Sequence, residues 1–97
     1  MKKLSKPESQ LQEVLYYLIK RIFIDRRQMM LSVGVLNLPE AIRKLRHNYG
    51  LTINLSEVKT ENKFGRKVTF GKYSLEHKKD ASDIYRKIQY KQKKLQL

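Results

Sequence analysis

"SVGVLNLPEAIRKLR", residues Ser32 to Arg46, holds a glycine, then an Asn three residues ahead of a Glu, then an apolar stripe interleaved with bases. Glycine takes the left-handed backbone conformation after a helix at least cost, so Gly34 is read as a helix terminator. Asn37 then caps the next helix by accepting from its first free amides. Pro39 sits in the first turn, where its missing N–H costs nothing, and Glu40 completes a box-like Asn-x-x-Glu pair. At about 100° per residue, Leu38, Ala41, Ile42, Leu45 and Tyr49 share one side of this helix. Glu40, Arg43 and His47 project from the opposite side, with Lys44 beside them. The helix runs over 37–48, and Gly50 stops it. A helix, a glycine turn and a capped helix with a basic outer face make a helix-turn-helix.

Upstream, "SQLQEVLYYLIKRIF" (residues 9–23) repeats Leu11, Val14, Leu15, Leu18, Ile19 and Ile22 at helical spacing, which predicts the first helix. Asp25 can accept hydrogen bonds from the amides that open a second helix, "RRQMMLSV" (residues 26–33), whose Met29 and Met30 read as core filling. Downstream, "LTINLSEVKT" (residues 51–60) predicts a strand with Ile53 and Leu55 on one face. "ENKFG" predicts a hairpin loop with Gly65 at a positive φ, and "RKVTFGKYSL" (residues 66–75) a second strand with Tyr73 and Leu75 pointing inward.

Val58, Val68 and Phe70 have the opposite parity to those inward residues. Either a bulge near Glu57 restores the register, or the hairpin is apolar on both sides. The second alternative is adopted, with the final helix covering the second side through Ile84, Tyr85 and Ile88. That helix, "HKKDASDIYRKIQYKQKKLQL" (residues 77–97), is basic and is capped by Asp80 or Ser82.

Ninety-seven residues, 40% of them hydrophobic, suit a single domain over 1–97, with a core unit at 8–76 and a basic C-terminal helix at 77–97. Twenty-two Lys and Arg against nine Asp and Glu leave a net charge of +13, which attracts extended polyanions. The longest apolar run, Val14 to Ile19, is too short to span a bilayer, and the start "MKKLSKPESQ" has no signal core, so a cytoplasmic protein without membrane attachment is expected. With no Cys and only His47 and His77, no zinc set, iron–sulfur ligation or thiol nucleophile is implied, and no cofactor is expected. The carboxylates are scattered among bases without paired-carboxylate, Ser-His-Asp or phosphate-loop spacing, which argues against an enzyme.

A helix of roughly 10–12 Å enters the roughly 12 Å major groove of B-DNA, where Arg43 could pair with guanine. Arg46, at the flank of the apolar stripe, is better placed for a phosphate, and the amides near Asn37 present the positive end of the helix dipole. Lys44 adds charge beside them. Asn37 and Glu40 also read simply as caps, and His47 as an exposed polar residue or a phosphate contact. Lys59, Lys63, Arg66 and Lys67 bracket the hairpin loop. Phe64 at its tip is either a wedge or stacking surface, or a ring folded back onto the hairpin.

The order "GVLNLPEAIRKLRHNYGLTI" followed by "NKFGRKVTFGKYSL" resembles the small winged helix-turn-helix domains of phages and bacterial mobile elements, over roughly residues 10 to 76. The resemblance implies an α+β fold: three N-terminal helices, a two-stranded antiparallel wing and a C-terminal helix. It implies double-stranded DNA binding by the third helix and the wing, in a transcriptional regulator or a recombination or replication accessory of bacterial nucleoid or phage origin. The DNA-binding residues are then Asn37, Arg43, Lys44, Arg46, His47, Lys63, Arg66 and Lys67. The longer first helix and the basic tail helix depart from the pattern. The alternative is a winged scaffold that binds protein through Phe64, Tyr85 and Tyr90, or structured RNA through its bases. Ile84, Ile88 and Leu95, interrupted by Lys91, have a spacing compatible with a homodimer seam through residues 81–95.

Overall fold

The computed structural model describes residues 4–95, with side chains as far as Ile88. Its elements in chain order are α1 (Gln10–Lys20), β1 (Ile24–Asp25), α2 (Arg26–Val33), α3 (Leu38–Tyr49), β2 (Ile53–Glu61), β3 (Lys67–Leu75) and α4 (Lys78–Leu95). The architecture is α+β.

Helix α1 opens on a Ser-x-x-Gln pair that the apolar periodicity does not reveal. The Ser9 hydroxyl accepts from the Gln12 amide at 3.2 Å, and the Gln12 carboxamide oxygen accepts from the Glu8 amide at 2.9 Å. The helix ends at Lys20, because Arg21 is already extended. Ile22, assigned to the apolar stripe of α1, therefore lies beyond it and is 83% exposed. The residue that enters the core instead is Ile24, fully buried in β1.

Strand β1 corrects the expected two-stranded wing. Ile24 pairs with Tyr73 and Asp25 with Lys72, giving a three-stranded antiparallel sheet of order β1-β3-β2. A buried extended residue needs partners for its backbone groups, and the inner edge of β3 supplies them. Asp25 then ends the strand and opens α2, accepting from the Gln28 amide at 2.8 Å.

The turn before α3 forms as read. Gly34 has φ 72° and donates to the Met30 carbonyl at 3.0 Å, while the Val35 amide reaches Met29 at 3.2 Å. Asn37 Oδ1 accepts from the Glu40 amide at 3.3 Å, and Gly50 closes α3 with φ 68°. Of the methionine pair only Met29 fills the core, whereas Met30 is 46% exposed. Leu38, Ile42 and Leu45 of α3 pack with Val14, Leu15 and Leu18 of α1 in a single core that Ile53 and Leu75 close from the sheet.

Helix α4 belongs to that core. Ala81, Tyr85 and Ile88 are buried in the cluster that α1 shares, so α4 packs against α1 and does not cover the second face of the hairpin, contrary to the sequence reading. Among the described residues Tyr85 is the largest fully buried side chain. Its hydroxyl donates to the Ser5 carbonyl at 2.7 Å, and its own carbonyl accepts from buried Gln12 Nε2 at 3.4 Å. Ile88 is 2% exposed and Ile84 packs partly buried against the same cluster, so these two residues of the expected dimer seam through 81–95 are occupied within the chain. The side chains of Tyr90, Lys91 and Leu95 lie outside the described residues. The helix begins at Lys78, so Asp80 stands in its first turn instead of capping it, and Ser82 donates back to the Lys78 carbonyl.

Burial, with Tyr16 and Glu8 nearby, pushes the Tyr85 hydroxyl up to about 12. A phenol whose folded value exceeds its unfolded one contributes stability that is fully present below about pH 10 and is lost as pH rises toward about 12. An ultraviolet titration is expected to show one late-ionising tyrosine. Tyr85→Phe should remove it and flatten the stability loss across that window, whereas an unchanged curve would refute the assignment.

The hairpin register is unbroken from Ile53–Leu75 to Glu61–Lys67, so no bulge occurs at Glu57 and both faces carry apolar residues. Only its base is inside. Ile53 and Leu75 are buried, but Leu55 is 52% exposed, because strands of nine residues run past the helices that cover them. On the second face, Val68 and Phe70 line an open groove with Arg26, Arg27 and Met30 of α2.

Candidate nucleic-acid interface

The buried stripe of α3 fixes which way its other face points. Arg43, Lys44 and His47 are exposed there, as the helical spacing requires. Arg43 is not unengaged, however. Its Nε donates to Glu40 Oε2 at 3.0 Å and its Nη2 to Oε1, an i,i+3 fork. That hydrogen bond holds the Glu40 carboxyl below the usual carboxylate range; desolvation opposes it, and the charges of Arg43 and Lys44 add to it. The same bond raises Arg43 above its ordinary value. Glu40 thus faces forward along the helix and does not close the expected box back toward Asn37. Exposed pairs of this kind are screened by solvent and held weakly, so a guanine edge or a phosphate can displace the carboxylate.

Arg46, expected to meet a phosphate, is engaged within the chain. Its guanidinium donates through Nη2 at 2.6 Å and Nε at 3.2 Å to the Ile53 carbonyl. Only Gly50 to Thr52 separate α3 from β2, and the first outward carbonyl of an edge strand lacks a ladder partner. The long Arg side chain supplies one. Arg46 is therefore a positioning residue that ties the last turn of α3 to the root of the hairpin.

The hairpin carries its own group of bases. Lys59, Lys63, Arg66 and Lys67 are all exposed. Asn62, which the sequence reading passed over, organises the tip: its side-chain oxygen accepts from the Phe64 amide at 2.9 Å and the Arg66 amide at 3.0 Å. An Asn followed by a glycine in αL is a turn signal present in "ENKFG", and Gly65 has φ 83°. Phe64 is 85% exposed with Lys63 Nζ 5.3 Å from its ring centroid, so the ring does not fold back onto the strands.

The α3 face and the tip are not adjacent. A nine-residue strand rises roughly 30 Å, and the molecule extends 53 Å along its long axis. Lys63, Arg66 and Lys67 form a second cationic cluster at the end of an arm whose root Arg46 holds. Further exposed bases, Arg26 and Arg27, stand at the N-terminus of α2, where Asp25 offsets their unfavourable position on the helix dipole. Other cations are spent on rings: Lys72 Nζ lies 3.8 Å from the Phe23 centroid, and the Arg21 guanidinium 5.0 Å from that of Tyr17.

Among the described residues no group of three or more His, Cys, Asp or Glu side chains is placed to hold a metal ion, and no helix is long and apolar enough to cross a membrane. Comparison of the chain with family models, curated proteins and solved structures finds no match in any of the three.

Proposed function

We propose that the chain binds double-stranded DNA as a winged helix-turn-helix protein, a transcriptional regulator or a recombination or replication accessory. Helix α3 lies in the major groove and the β2–β3 hairpin acts as the wing. The observation that carries this reading is the Arg46 tie, which sets a helix with a buried back and a cationic front at a fixed angle to a long cationic arm. Strand β1 supports it by anchoring β3 to the helical layer, so that the arm is braced at its root. Arg43, once Glu40 is displaced, is the candidate base reader. Lys44, His47, Lys63, Arg66 and Lys67 contact the backbone, and Asn37 keeps the amides of the first turn ordered.

Titration of labelled protein with duplex DNA, followed by amide shifts, tests this. The expected changes fall on residues 43–47 and 62–67. Arg43→Ala should relax preference at one base-pair position, costing about 1–3 kcal/mol there, whereas Lys67→Ala should weaken all duplexes alike. Equal effects of both variants on every sequence would argue against a reading helix. The second reading, an interaction module for protein or structured RNA, draws on the exposed Phe64 ring and the apolar groove beside Met30. Residues 43–47 left unshifted by duplex DNA would favour it.

A further inference from the structure

The outer edge of β2 has no neighbour among the described residues, since the sheet order β1-β3-β2 leaves that strand paired on one side only. The Thr52 carbonyl accepts from the Glu76 amide and the Asn62 amide donates to the Arg66 carbonyl, so even-numbered residues turn their backbone groups toward β3. Odd-numbered residues turn theirs outward. The first of these, Ile53, is closed off by Arg46. Leu55, Glu57, Lys59 and Glu61 follow, all exposed, in a run without proline or bulge. Edge strands are usually blunted by a bulge, a proline, a cover or like charges. This one carries charges of alternating sign.

We propose that this edge pairs with β2 of a second copy, antiparallel, about a two-fold axis through Val58, carrying both three-stranded sheets into one. Charge and overlap together select the register, since an axis at Thr60 would also set Lys59 against Glu61 but would overlap only residues 59–61 of the two strands. With the axis at Val58, Glu57 faces Lys59 of the second copy and Lys59 faces its Glu57. Val58 then meets Val58, Ser56 meets Thr60, and Leu55 opposite Glu61 ends the ladder. Moving the axis to Glu57 sets Glu57 against itself. Moving it to Lys59 sets Lys59 against itself and Glu57 against Glu61. Like charges directly opposite destabilise a strand pair and unlike charges stabilise it. The two-fold makes the contact isologous, so it closes at a dimer and does not propagate. This inference is independent of the DNA-binding reading.

Sedimentation equilibrium of the full chain over rising concentration tests it. The natural chain is expected to dimerise. Glu57→Lys and Lys59→Glu, each placing like charges opposite, should each weaken the dimer about tenfold or more. An equimolar mixture of the two variants should associate again as a heterodimer, because every 57–59 contact is then between opposite charges, and the double variant E57K/K59E should dimerise like the natural chain. Circular dichroism verifies that each variant is folded. A natural chain that stays monomeric at the highest concentration reached overturns the proposal. So do single variants that dimerise undiminished, or a mixture that remains monomeric.

Discussion

Tyr85→Ala is expected to cost about 3–5 kcal/mol, and a chain ending at Glu76 to lose its cooperative melt altogether. A domain of this size has about 5–15 kcal/mol of net stability, so a single deletion of this order removes a large part of it. Tyr85 is fully buried among α1 and α4, and its hydroxyl anchors the segment before α1 through Ser5. Its removal leaves a cavity too large for Ala81 and Ile88 to fill, and takes away the hydroxyl that donates to the Ser5 carbonyl. The truncation goes further. It exposes the buried face of α1 and leaves Gln12 Nε2, fully buried in the folded chain, without the Tyr85 carbonyl it donates to. Urea unfolding measures both effects: for Tyr85→Ala the midpoint should fall with the slope unchanged. Equal midpoints for the natural and truncated chains would mean that α4 is an appendage.

DNA affinity is expected to fall about 10³-fold as salt rises from about 50 to about 200 mM. The reasoning begins from the number of cations able to meet phosphates at once. Lys44 on α3, Lys63, Arg66 and Lys67 at the tip, and Arg26 and Arg27 at the start of α2 are all exposed and have no carboxylate partner among the described residues. If about six phosphates are neutralised, the slope of log affinity against log salt is near −5, and Lys67→Ala should reduce its magnitude by about one. Arg46 contributes little to this slope, because its guanidinium is committed to Ile53. Fluorescence anisotropy with a random duplex at several salt concentrations measures the slope, and a value near zero would remove the electrostatic basis of the proposed function.

Much of the α3 region is legible in the order of residues. The left-handed glycines at 34 and 50, the Asn37 and Asp25 caps and the apolar stripe from Leu38 to Leu45 depend only on neighbours within a turn or two. The Ser9–Gln12 pair and the Asn62 turn were equally readable, being signals of the same short range. The candidate site was half legible. Helical spacing gives the outward direction of Arg43, Lys44 and His47, but not the Glu40 fork or the use of Arg46, since a long flexible side chain can reach several acceptors.

By itself the sequence determined where α2 and α3 start and stop and which face of α3 turns inward, because backbone stereochemistry and the 3.6-residue period act locally. Tertiary structure alone decided that Ile24 and Asp25 form a strand, that α4 covers α1 and not the hairpin, and that Arg46 braces the arm. A two-residue strand has no period to read, and an apolar face states that it will be buried without stating against what. The first two choices were made by contacts between residues some fifty to eighty positions apart, as in Ile24 with Tyr73 and Ser5 with Tyr85, and the third by a long side chain with several acceptors in reach.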